Sequence, residues 1–224
     1  MNARRLTATV LCSAAAAAAL SGCAKKGDIV VDSGVGITAV RTACPAVGIP
    51  DYTGDITLFR VPNDKTAANI DVVAAMTNVR SQCSDQNGAQ ANDKVSAQVS
   101  FDVLARRTDT QSARQITLPI FVSVLQGGSA VVSKRVGQVQ VNFAAGQDRA
   151  QAHGVGTAYI DRASATLPAD IRQRITRPRK AGGEDAAVDP LSQPDVKTAV
   201  ARASFEVLVG FQLDESQLAY NATR

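Results

Sequence analysis

The sequence predicts an all-β fold, an antiparallel immunoglobulin-like β-sandwich of about seven strands that occupies residues 37–214. Two observations lead to this prediction. Apolar and polar residues alternate with period two in many segments of the chain, as in strands that bury only one face. A glycine-rich turn, Gln126-Gly127-Gly128-Ser129, joins two of these segments in the manner of a β-hairpin. A closed barrel is the alternative architecture for the same pattern.

The clearest alternation fills the odd positions of residues 199–213. It predicts that Phe205, Val207, Val209 and Phe211 point into the core, and it leaves residues such as Glu206 and Gln212 on a wet face. The other predicted strands are 55–61, 70–80, 97–105, 116–124, 131–143 and 155–161.

Two residues predict irregularities in the sheets. Pro119 has no backbone N–H, so its place within a predicted strand indicates a sheet edge or a bulge. In the segment 131–143 the inward positions change from even, at Val132 and Val136, to odd, at Val139. Because the change straddles Gly137, we expect a β-bulge at that glycine.

The alternation stops in residues 164–197, which form a long excursion before the last predicted strand. Leu167, Ile171 and Ile175 recur every four residues there, which predicts one short helix with a single apolar face. The remainder of the excursion is rich in proline, glycine and charge and is typical of a mobile loop. After the last strand, residues 215–224 are predicted to form a short C-terminal helix or tail that adds little stability.

The excursion also carries five positive charges in nine residues, which form a candidate contact for a polyanion such as the cell wall, lipopolysaccharide or an acidic partner. They are Arg172, Arg174, Arg177, Arg179 and Lys180. A solvated helix end followed by a loop explains the same residues without any ligand.

The N-terminus has the pattern of a secretory signal peptide over residues 1–22. Arg4 and Arg5 supply positive charge, and residues 6–20 are uncharged and mostly alanine. This run is shorter than the roughly 20 apolar residues that a membrane-spanning helix needs. We therefore expect the segment to direct export and then to be removed.

The signal ends in Leu20-Ser21-Gly22-Cys23, which resembles the lipobox of bacterial lipoproteins. The resemblance implies cleavage before Cys23, a diacylglyceryl thioether on its thiol, and acylation of the new amine by a fatty acid such as palmitate. Residue Ala24 is not the aspartate that marks retention at the inner membrane in such proteins. The expected location is therefore the periplasmic face of the outer membrane. A secreted soluble protein with a chance cysteine is the alternative.

Residues 23–36 follow the predicted cleavage site and read as a tether between the lipid and the folded domain. Cys44 and Cys83 are the cysteines that remain for the domain, since Cys12 lies in the signal and Cys23 is the lipidation site. Two cysteines in an oxidising compartment most often pair, so a Cys44–Cys83 disulfide is predicted.

The same sequence argues against several function classes. Its 24 basic and 20 acidic residues are too balanced to predict nucleic-acid binding. His153 is the single histidine, and neither a Gly-x-Ser-x-Gly nor a His-Glu-x-x-His motif occurs. We therefore predict no catalytic residues, no metal site, no cofactor and no enzymatic activity.

Two further segments, CPAVGIPDYTGDITLF at 44–59 and FEVLVGFQLDESQLAYNATR at 205–224, resemble stretches of uncharacterised lipoproteins of alphaproteobacterial envelopes. The resemblance implies an envelope location and supplies no catalytic residues. The expected function is that of a lipid-anchored accessory or scaffold module, with an envelope protein as partner. The alternative is a binding module for cell-wall glycan or a small ligand, acting through loops and the basic segment 172–180.

Overall fold

The described part of the chain contains eight β-strands and three α-helices. The computed structural model describes residues 42–84, 93–177 and 188–224. The predicted signal peptide and tether, with Cys23, lie outside these residues. The strands are β1 (Ala46–Gly48), β2 (Asp55–Phe59), β3 (Ile70–Ser84), β4 (Lys94–Arg107), β5 (Arg114–Gln126), β6 (Ala130–Phe143), β7 (Arg149–Asp161) and β8 (Phe205–Phe211). The helices are α1 (Ala169–Thr176), α2 (Pro194–Arg202) and α3 (Glu215–Thr223), with short 3-10 helices at Ala67–Asn69 and Pro190–Ser192.

The described strands divide into two four-stranded sheets. The first sheet has the order β1-β8-β5-β6, and the second has the order β2-β3-β4-β7. Neighbouring strands are antiparallel except for β1, which runs parallel to β8. Apolar residues from both sheets meet in one shared core, as in a β-sandwich. The all-β prediction is confirmed at this level.

Strand β8 confirms the inward face that its alternation predicts. Phe205, Val207, Val209 and Phe211 are all buried. Glu206, on the other face, is half-buried rather than fully wet. The predicted hairpin turn is also present, with positive φ angles at Gly127 and Gly128 between β5 and β6.

The prediction that the last strand begins at residue 199 is wrong, because residues 194–202 form helix α2. Alanine at alternate positions fits either element and has the highest helix propensity. Pro194 at the start, Asp195 in the first turn and Arg202 in the last turn are typical helix-end residues. The spacing of Val196 and Val200 by four was the signal for a helix.

Two sheet irregularities are also misplaced by the sequence. Val132 and Val136 are exposed rather than inward, and β6 runs in regular register past Gly137. The bulge lies instead opposite the Val124–Leu125 step of β5, where the pairing skips Val132. Pro119 lies at no bulge, and β5 as a whole is not an edge strand, since it runs between β8 and β6.

Pro119 fits this position because β8 pairs with β5 only from Ile120 onward. The proline carbonyl still accepts a hydrogen bond of 2.9 Å from the backbone N–H of Gln212. Its missing donor therefore leaves the β5–β8 ladder intact.

The excursion between β7 and β8 contains two helices rather than the single one predicted. Helix α1 confirms the predicted apolar face, with Ile171 and Ile175 buried. These residues pack with Val196 of α2 in a small cluster that is separate from the main core. The two helices therefore bury their apolar faces against each other.

The C-terminal residues form helix α3, as predicted, and a capping box of Asp214 and Gln217 begins it. The expectation that this segment adds little is not supported by its contacts with β2 and the preceding loop. Tyr220 packs edge-on against the ring of Phe59 with 5.1 Å between centroids. Asn221 is buried and donates to the carbonyls of Tyr52 and Asp55 at 2.8 and 2.9 Å.

Candidate functional site

The predicted disulfide between Cys44 and Cys83 is present, with a Cα–Cα distance of 5.9 Å. Cys83 lies near the end of β3 in the second sheet, and Cys44 lies just before β1 of the first sheet. The bond therefore ties the start of the described chain to both sheets.

The structure describes three residues of the predicted polyanion contact. Arg172, Arg174 and Arg177 lie in or just after α1, and Arg179 and Lys180 lie outside the described residues. Arg174 forms an ion pair with Asp195 of α2, with 2.6 Å between Nη1 and Oδ2. This hydrogen-bonded carboxylate raises the pKa of the Arg174 guanidinium. Arg174 thus joins two helices, and its charge is less available to an external polyanion.

A residue that the sequence analysis did not single out, Arg107, is almost fully buried at 2% exposure. Its Nε donates to the carbonyl of Gln147 at 2.9 Å, and Nη1 donates to the carbonyl of Ser112 at 2.7 Å. Nη2 donates to the carbonyls of Ala144 at 2.8 Å and Thr110 at 3.4 Å. The guanidinium thereby holds together the loops 108–113 and 144–148, which both cross between the two sheets.

The signal for Arg107 was present in the alternation of β4. The odd positions from Ala97 to Ala105 are buried, and continuing that phase by two residues places Arg107 inward as well. Its neighbour Arg106 falls on the opposite face and has a side chain that is 72% exposed. Because successive side chains of a strand point to opposite faces, Arg107 is buried and its neighbour Arg106 is exposed.

The two sheets are also linked by an ion pair, which lies at the end of the domain that carries Arg107. Arg114 of β5 donates to both carboxylate oxygens of Asp71 of β3, at 2.8 and 2.7 Å. The hydrogen bond from Arg114 is the main cause that lowers the pKa of Asp71. The carboxylate side chain is only 13% exposed, so the pair is partly shielded from solvent.

We expect this pair to make stability fall in acid. Because the pKa of Asp71 is lowered in the folded state, its stabilisation is complete above the unfolded value of about 3.9 and is lost as pH falls through the folded pKa. Asp71→Asn is expected to lower the free energy of unfolding by about 1 kcal/mol at pH 7. Its difference from wild type should shrink below about pH 4. Urea unfolding from pH 7 to pH 2 checks this, and a constant difference would contradict it.

The outer face of the second sheet carries a shallow groove of about 680 Å³, which we call the Leu104 groove. Its lining residues are Val73, Ala75, Leu104, Ala105, Arg106, Arg149, Ala150 and Gln151. Leu104 is 47% exposed on its floor. Arg106 and Arg149 share the carboxylate of Asp148, at 3.6 and 3.9 Å. The groove thus has an apolar floor beside Arg106 and Arg149, whose positive charges are partly balanced by Asp148.

Asp102 and His153 lie next to the groove as a cross-strand pair of β4 and β7. His153 Nδ1 is 3.1 Å from Asp102 Oδ1, and the other carboxylate oxygen accepts from Asn78 Nδ2 at 2.9 Å. These two hydrogen bonds, that of Asn78 first, lower the pKa of Asp102. Asn78 has a positive φ of 51° at a register shift in β3, a conformation that asparagine tolerates.

The hydrogen bond to Asp102 can hold the His153 ring in one orientation, but the His153 side chain is 61% exposed on an open sheet face. In the described residues, the hydrogen bonds of His153 join it only to Asp102, so no serine or cysteine nucleophile is aligned with it. His153 is thus a surface residue within β7.

The described residues contain neither a candidate metal site nor a candidate membrane-spanning helix. No group of three or more histidine, cysteine, aspartate or glutamate side chains lies close enough together to hold a metal ion within residues 42–84, 93–177 and 188–224. Within those same ranges, no helix has the length and apolar character required to cross a membrane.

Comparison with known proteins found no matching family model, no matching curated protein and no matching solved structure.

Proposed function

We propose that the protein is a lipid-anchored, non-enzymatic lipoprotein of the bacterial envelope. It serves as an accessory or scaffold module at the periplasmic face of the outer membrane. The observation that supports this proposal is the lipobox-like Leu20-Ser21-Gly22-Cys23 at the end of a signal-like segment. The Cys44–Cys83 disulfide adds support, because disulfides persist in exported proteins.

The open character of the candidate site supports a non-enzymatic role. General acid–base chemistry gains much of its strength from a site that excludes water and aligns its groups. His153 and the cations of the Leu104 groove instead lie on an exposed sheet face. Such a face is suited to contact with another macromolecule.

We also propose that the connectivity is immunoglobulin-like. Strand β4 pairs with β7 in one sheet while β5 pairs with β8 in the other, which parallels the B–E and C–F pairs of that fold. An experimental structure in which β4 lies beside another strand than β3 or β7 would contradict this.

Lipidation is tested by Cys23→Ser, with Cys12→Ser in the signal-like segment as the matched control. Cys23→Ser is expected to abolish incorporation of radiolabelled palmitate and to leave an uncleaved or mislocalised precursor. Cys12→Ser should leave both labelling and processing intact. A wild-type protein that takes up no palmitate in its native host would overturn the lipoprotein proposal.

The same variant addresses the alternative function, a binding module for cell-wall glycan or a small ligand. The Leu104 groove favours that alternative, because it offers apolar contact beside Arg106 and Arg149. If unlipidated Cys23→Ser protein remains in solution with purified peptidoglycan at physiological salt, the scaffold proposal is supported. Specific retention on the glycan would support the binding module instead.

A further inference from the structure

Strand β6 forms an uncovered edge of the first sheet. It pairs with β5 alone among the described strands, and each residue from 130 to 138 is exposed. The backbone N–H and C=O groups on the outer side of an edge strand have no ladder partner. This segment therefore presents extended backbone that can pair with another chain.

The uncovered edge also exposes apolar side chains. Val131, Val132 and Val136 are 62%, 51% and 63% exposed. Proteins usually protect an edge by shortening it, covering it, or placing proline or charged residues such as lysine in it. Strand β1 is only three residues long, and β2 is contacted by α3. Strands β6 and β7 are 14 and 13 residues long and contain no proline. On β6, the charges of Lys134 and Arg135 are the protection that remains.

The charge of this edge indicates which partner it fits. Lys134 and Arg135 lie in the middle of the exposed segment, and the sequence contains no carboxylate residue between Arg114 and Asp148. Self-pairing of two copies through the exposed valines would bring four cations together with no carboxylate between them. Like charges placed together across strands are destabilising, so charge complementarity favours an acidic partner over a second copy.

We propose that the β6 edge binds an extended segment of a partner protein, which adds a fifth strand to the first sheet. Two adjacent carboxylates of that segment lie opposite Lys134 and Arg135, and branched apolar residues lie opposite the exposed valines. Backbone hydrogen bonds supply the attraction in this mode of recognition, and side chains set the register. The inference goes beyond the proposed function and does not depend on lipidation.

A synthetic peptide tests the proposal on the full-length protein in detergent. The probe is Thr-Thr-Val-Glu-Glu-Thr-Val-Val-Thr, whose residues fall opposite residues 138 to 130 in an antiparallel ladder. Fluorescence anisotropy is expected to show saturable binding that weakens with salt. Amide hydrogen exchange should slow at residues 130–138. The same peptide with Lys-Lys in place of Glu-Glu should bind at least about tenfold more weakly.

Variants locate the binding site. Val136→Asp removes an apolar contact and adds a repelling charge, so it is expected to weaken binding at least about tenfold. Val155→Asp is the matched control, because Val155 is also an exposed valine of an edge strand but lies on β7. It should bind within about twofold of wild type. Lys134→Glu combined with Arg135→Glu should reverse the preference in favour of the Lys-Lys peptide.

Three outcomes would overturn the proposal. They are the absence of saturable binding, equal loss in Val136→Asp and Val155→Asp, and exchange protection that maps to another surface. A concentration-dependent dimer with the same protected residues in the absence of peptide would assign the edge to a second copy instead.

Discussion

Arg107→Met is expected to lower the free energy of unfolding by about 3–5 kcal/mol, because several buried carbonyls lose a charged donor. The substitution keeps an unbranched chain of similar length but removes the donors that reach the four carbonyl oxygens. Those carbonyls belong to the two loops that cross between the sheets. A buried acceptor that loses its donor costs about 1–3 kcal/mol unless water replaces the donor. Urea unfolding with the disulfide intact measures the change.

The matched control is Arg106→Met, one residue earlier on the opposite face of β4. Its side chain is 72% exposed and lies 3.6 Å from Asp148, so a change within about 0.5 kcal/mol is expected. Arg107→Lys separates charge from geometry, because an ammonium cannot reproduce the planar fork of donors. It should fall between wild type and Arg107→Met. Equal effects of Arg106→Met and Arg107→Met would contradict the assignment.

Removing the disulfide is expected to cost about 4 kcal/mol on the chain-entropy account of cross-linking. The loop that it closes has a sequence separation of 39 residues. The double variant Cys44→Ala with Cys83→Ala avoids an unpaired thiol and should show this loss in chemical denaturation. Reduced wild-type protein should match the double variant. Alkylation of both thiols in the natively exported, unreduced protein would contradict the prediction.

Large apolar side chains made parts of this fold predictable from the sequence. Large apolar residues at every second position of a strand can leave water only if the strand buries one face. The four that do so in β8 are all buried, namely Phe205, Val207, Val209 and Phe211. The Cys44–Cys83 pair was predictable because the predicted signal peptide and the lipobox-like motif accounted for the other cysteines. In both cases few alternative arrangements fitted the residues.

The errors arose where a residue type fits several environments. Alanine at 199 and 201 fits helix and strand alike, so the alternation there carried little information. Because valine is apolar, Val132 and Val136 were predicted to be buried. They are exposed, since the part of β6 that contains them is an uncovered sheet edge. Local sequence cannot show whether another strand or layer covers a given position.

The candidate site was harder still to predict, because its contacts join distant parts of the chain. Asp102 and His153 meet only through the register of β4 against β7. The partners of Arg107 are main-chain carbonyls, which any residue type provides. Only strand parity could have indicated that Arg107 points inward.

The position of Arg107 has a consequence for how the domain opens. Surface loops usually exchange their amide hydrogens through local fluctuations that need little free energy. Loops 108–113 and 144–148 share one buried guanidinium. If one of the loops opens, the Arg107 guanidinium loses some of its carbonyl acceptors while it is still buried in the protein. We therefore expect the two loops to open together with the strands they connect, although they lie at the end of the domain.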